Sequence, residues 1–131
     1  MNNNNNNNNN NDIIKEIDTE NFIWIIYLFI IAISFIANYF ETIYYKNGSK
    51  KAKEKYRVLN IFVFSVVFLI YLYFFKENYK TVKNLNCYDS KNKILFNKLN
   101  YYASVFVLVA GAIFLYISIF DKDLDTEIAF N

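Results

Sequence analysis

Three long apolar stretches of this chain carry no Asp, Glu, Lys or Arg, and the charges crowd into the segments between them. The first, residues 21–40, reads NFIWIIYLFIIAISFIANYF and sits between Glu20 and Glu41. Its 20 residues make about 30 Å of α-helix, the thickness of a hydrocarbon core. The second, residues 58–75, has 18 residues, or about 27 Å. The third, residues 99–120, has 22 residues, or about 33 Å, enough to cross a bilayer with some tilt. Each run is apolar on every face rather than along one stripe, the pattern of a helix surrounded by lipid. Three such helices would need far more covering chain than 131 residues supply if they were the core of a soluble domain. Three strands could not close a barrel, so a β reading would leave unpaired edges in lipid. The fold predicted is an all-α integral membrane protein with three transmembrane helices and a disordered poly-Asn N-terminus. The spans occupy about 21–40, 58–75 and 99–120 of a membrane domain over 21–120.

Aromatic residues gather where these runs meet water. Trp24 and Tyr27 lie near one end of the first span, and Tyr39, Tyr44 and Tyr45 near the other. Tyr56 precedes the second span, Tyr71 and Tyr73 close it, and Tyr101 and Tyr102 open the third. Amphipathic rings settle at headgroup level, which supports the same boundaries.

The flanks are of a different kind. Residues 1–20 hold an unbroken asparagine tract, Asn2 to Asn11, then an acidic stretch with Asp12, Glu16, Asp18 and Glu20. A homopolymer of asparagine buries nothing apolar against the entropy of ordering, so the segment is expected to be disordered. Residues 121–131 form an acidic tail. Its Asp121, Asp123 and Asp125 alternate like the start of a calcium loop, but Thr126 stands where such a loop needs glycine and the twelfth position is missing. No cleavable signal is expected, because the residues before the first span are acidic and the span is too long for a signal core. With three spans the basic residues split seven against seven between the two sides, so loop charge leaves the orientation undecided. The flanks of the first span differ, Lys15 before it and Lys46, Lys50, Lys51, Lys53, Lys55 and Arg57 after it. They favour an outside N-terminus, with the first loop and the tail cytoplasmic.

Composition then removes function classes. There is no histidine or proline and only one cysteine, Cys87, in the second loop. A zinc cluster and an intrachain disulfide are excluded, and the usual general base near neutral pH is missing. No charged residue lies inside a span, where proton relays and coupled transporters need one. No cofactor, metal or nucleic-acid partner is expected, and no catalytic residue is assigned.

The remaining signals concern packing and the membrane surface. On the first span Ser34 and Asn38 share a helical face with Glu41 and Tyr45, and polar groups in lipid seek bonds to neighbouring helices. On the third, Ser104, Gly111 and Ser118 recur every seven residues, with Ala103 and Ala110 beside them. Small residues at that period let helix backbones approach closely in a left-handed packing, so the third helix is expected to be the most buried. Lys50, Lys51, Lys53, Lys55 and Arg57 form a basic cluster at the membrane surface, suited to anchoring or to anionic lipid. Asn47-Gly48-Ser49 matches a glycosylation sequon, but Gly48 reads better as a turn and Ser49 as the cap of a helix running into the second span. Ile94, Leu95, Leu99 and Tyr102 share one face ahead of the third span.

The expected function is that of a small, non-enzymatic multi-pass protein, a structural or assembly component packing with itself or a membrane partner in the bilayer. The alternatives are a small oligomeric pore lined by the Ser34 and Asn38 face, or an accessory subunit of a membrane complex. An endomembrane and a host or virion membrane are both compatible with the sequence.

Overall fold

The computed structural model describes residues 3–122, with side chains from residue 7 onward. It is three long helices: α1, Asn3–Asn47; α2, Lys50–Lys83; and α3, Lys91–Phe120. All three are long and apolar enough to cross a membrane. Each overshoots its charge-free run. α2 extends about two turns before Arg57 and two beyond Phe75, so charged turns continue the helix past both ends of its apolar run.

The two connections follow from their residues. α1 ends on Gly48 at φ 65°, the left-handed conformation that a side chain disfavours. The Gly48 N–H donates to the Tyr44 carbonyl at 2.8 Å, which closes the last turn. Ser49 then caps α2, its hydroxyl oxygen accepting the Ala52 N–H at 3.3 Å. This tight reversal makes α1 and α2 antiparallel neighbours. The second connection, Asn84 to Ser90, is organised by Asp89. Its carboxylate accepts the Asn86 N–H at 2.9 Å and pairs with Lys93 Nζ at 3.1 Å. Those hydrogen bonds, the backbone one first, hold the Asp89 carboxyl below its ordinary range. Ser90 caps α3 by accepting the Lys93 N–H.

α2 is the central helix. It packs on α1 along one side and on α3 along another, and among the described residues no α-carbon of α1 comes within 8 Å of one in α3. The arrangement is an open antiparallel array rather than a closed bundle. The buried positions recur every seven residues on all three helices: Ile23, Ile30 and Ala37; Tyr56, Val63 and Ile70; Ser104, Gly111 and Ser118. A seven-residue repeat keeps one seam facing a neighbour as the helices wrap left-handedly. Ile23 and Ile30 form one cluster with Val63 and Ile70. Antiparallel register then sets Ala37 level with Tyr56.

Two expectations need correction. The third helix is not the most covered; α2 is, because it alone has two neighbours. The N-terminal segment is not disordered over its described part, since α1 is helical from Asn3. Starting a helix is the costly step, and the apolar run has already supplied the start. Each asparagine then adds its own backbone hydrogen bond at a modest propensity cost. Asn7 to Phe22 are all exposed. The acidic tail beyond Lys122, with its partial calcium-loop pattern, lies outside the described residues.

Candidate functional site

Three features stand out: a seam between α2 and α3, a crevice beside the middle of α2, and a cationic end at the α1–α2 turn. The seam is built on Gly111. A β-carbon added there would lie 2.8 Å from Tyr71 Cδ2, 3.2 Å from Tyr71 Cε2 and 3.7 Å from Phe68 Cδ2. The missing side chain is therefore what lets the Tyr71 ring lie against the α3 backbone. Phe64 and Phe114 pack with ring centres 5.8 Å apart, and Phe75 and Tyr101 with centres 5.7 Å apart. At the far end Arg57 Nη2 donates to the Ile119 carbonyl at 3.2 Å. That carbonyl is among the last of α3, where backbone acceptors have no helical donor and the helix dipole favours a cation.

Ser104 and Ser118 are buried in α3 with Gly111, whereas Ala103 is exposed and Ala110 half-buried. Ala103 thus lies outside the contact. The two serines do not reach across to α2. Ser104 Oγ donates to the Tyr101 carbonyl at 2.6 Å and Ser118 Oγ to the Phe114 carbonyl at 2.9 Å. Ser34 Oγ likewise donates to Ile30 of its own helix at 2.9 Å. Their hydroxyls satisfy themselves on their own backbone, so their contribution to helix packing is small size rather than hydrogen bonding between helices. Asn38 behaves differently: its Oδ1 is buried without a hydrogen-bond partner.

Because α1 and α3 flank α2 without their backbones meeting, a crevice of about 420 Å³ opens between them. Tyr27, Ile31 and Ser34 of α1 form one wall, Val67 and Tyr71 of α2 the floor, and Phe114 of α3 the other wall. It lies close to the middle of the second span. Its lining is apolar apart from three hydroxyls, and one of these, on Ser34, is already donated.

At the α1–α2 turn the structure divides the basic cluster. Lys51 and Lys55 line an apolar groove with Ile36, Phe40, Val58 and Leu59, and Lys55 Nζ stands 4.9 Å from the centre of the Phe40 ring. Lys50, Lys53 and Arg57 face another way and are joined by Lys122, just past the end of α3. Lys53 Nζ lies 5.4 Å above the Tyr44 ring.

Sequence reasoning missed Ala37, with 0 % exposure the most deeply buried side chain of the core, and Asn60, a buried amide on α2. A lone alanine in an isoleucine-rich run has no visible period, although its seven-residue spacing from Ile30 was a signal available in principle. Asn60 stands next to the end of a charge-free run and reads there as a boundary residue. Cys87 and Asn47 are exposed. Among the described residues no group of His, Cys, Asp or Glu is placed to hold a metal ion. No protein-family model, curated protein or solved structure matches the chain.

Proposed function

We propose that this chain is a three-span membrane protein whose work is packing rather than catalysis, as a structural or assembly component held against a second copy or a membrane partner. The observation that carries the reading is the open array: α1 and α3 do not close on each other, and the crevice between them holds surface that another helix can fill. In lipid there is no hydrophobic drive toward a partner, so association depends on shape and on polar groups lacking partners. Here it is shape: the crevice between α1 and α3 is lined almost wholly by apolar side chains that a partner helix would cover. The carboxylates lie in the flanks, and the serines of the spans have no base near them, which supports the absence of hydrolase or transferase chemistry. A pore lined by Ser34 and Asn38 fits less well, since Ser34 faces α2 across the crevice instead of standing free on the outside. An endomembrane or a host or virion membrane would suit a protein of this kind.

The test is cross-linking in reconstituted membranes on a Cys87→Ser background. Ser34→Cys in the crevice is expected to form adducts between neighbouring chains, or with a co-purified partner, at several times the yield of Val107→Cys on the outer face of α3. The same vesicles should hold an ion gradient. Equal cross-linking at both positions, or rapid loss of the gradient, would contradict the reading.

A further inference from the structure

We infer that the crevice at the α1–α2 turn is a binding site for the phosphate of an anionic phospholipid. It has a volume of about 550 Å³ and is lined by Lys50, Lys53, Arg57 and Lys122, with Tyr44 and one carboxylate, Glu54. A cavity of that size is within the ordinary range for a bound small group, about 300–1,000 Å³. The lining thus holds four cations and one carboxylate.

Two features separate this site from a simple anchoring cluster. The first is convergence. Lys122 is 65 residues beyond Arg57 in the chain, and the fold brings it to the same crevice. Lys51 and Lys55, close in sequence and equal in charge, are turned to a different groove. The second is the state of Arg57. Its Nη2 is fixed on the Ile119 carbonyl, while its Nε is buried and has no hydrogen-bond partner. A guanidinium held by one corner with an unused N–H beside it is set up to receive an oxyanion, which guanidinium binds with charge-assisted hydrogen bonds.

Depth identifies the source of the phosphate as lipid. Arg57 is the last charged residue before the second span, and Lys53 stands one turn, about 6 Å, further out. The headgroup layer of one leaflet is about 5–7 Å thick, so both cations lie at the level of lipid phosphates. A juxtamembrane lysine or arginine gains measurably from an anionic leaflet, and four gathered in one crevice gain together. The inference needs only that the helices cross a bilayer and is independent of whether they pack with a partner.

The full chain in detergent micelles, titrated with phosphatidylglycerol or phosphatidylcholine and read by native mass spectrometry, tests it. Wild type should retain phosphatidylglycerol in preference to phosphatidylcholine. The double variant Lys50→Gln/Lys122→Gln should weaken that retention on the order of tenfold. Lys51→Gln/Lys55→Gln removes the same charge from the same end of the molecule and should change it less than about twofold. All four lysines are exposed, so both variants should keep the wild-type melting temperature. Millimolar inorganic phosphate should leave the bound lipid in place. Equal behaviour of the two double variants, whether both keep or both lose the lipid, overturns the site. Indifference to headgroup overturns it as well, and displacement by inorganic phosphate would make free phosphate the ligand instead of lipid.

Discussion

Gly111→Ile is expected to destabilise the α2–α3 seam by about 1–3 kcal/mol, the usual cost of forcing extra carbons into a filled contact. The β-carbon alone would come within 2.8 Å of the Tyr71 ring. The rest of the isoleucine side chain adds bulk against Tyr71 and Phe68. Helix propensity works in the opposite direction, since glycine is about 1 kcal/mol worse than alanine inside a helix and isoleucine stands between them. For isoleucine the clash outweighs this gain. For Gly111→Ala the two are of similar size, so that variant should lie within about 1 kcal/mol of wild type. Val107→Ile is the control on the outer face, where Val107 is 40 % exposed, and should be nearly silent. Thermal unfolding in detergent separates the three. Adding Tyr71→Ala to Gly111→Ile should recover part of the loss, because the ring is what the new side chain meets. If Gly111→Ile melts like wild type, this seam does not hold the helices together.

The second large effect is expected on the other side of α2. Ala37→Leu should destabilise the α1–α2 contact by about 1–3 kcal/mol. Ala37 has 0 % exposure, and the register sets it level with buried Tyr56. With no exposed surface at Ala37, leucine has no free space there and would push α1 away from α2. Leu28→Ile, at an exposed position of the same helix away from the crevice, changes shape at the outer surface and should be tolerated. The readout is again detergent stability, supported by cross-linking between cysteines placed on α1 and α2. A wild-type melting temperature for Ala37→Leu would mean that α1 packs on α2 more loosely than the structure has it.

These two sites show what the sequence discloses about an apolar helix. Three long apolar helices were legible, because the charge-free runs between Glu20, Glu41, Arg57, Lys76, Lys98 and Asp121 are each long enough to cross a bilayer. The turn was legible too, since Gly48 and Ser49 do the backbone chemistry that those residue types do best. The seven-residue spacing of Ser104, Gly111 and Ser118 could be picked out because small residues contrast with their neighbours. The matching series Ile23, Ile30, Ala37 and Tyr56, Val63, Ile70 could not, because every face of those helices is apolar and bulky. In a soluble helix polarity would mark the outer face; in lipid it does not. For the same reason the order of the helices was hidden. Small residues identified a contact face on α3, but nothing in the sequence said that α2 has two such faces and stands in the middle. The basic cluster is a similar case. Lys50, Lys51, Lys53, Lys55 and Arg57 form one group along the chain, and only the fold separates them into two faces and adds Lys122 to one. The asparagine tract failed as a prediction for another reason: its composition argues against independent folding, but it continues a helix that its neighbours have already started.

The central claim is that three helices cross the bilayer in alternating directions. The antiparallel array puts the α1–α2 turn and the residues after α3 at one end, and the start of α1 and the α2–α3 loop at the other. Its most direct test is protease protection of vesicles carrying the full chain with a different tag at each terminus. The account predicts that external protease removes one tag and leaves the other intact until detergent is added, with the flank charges favouring a cytoplasmic C-terminus. Removal of both tags together, or protection of both, would place the two termini on one side and contradict a three-span protein.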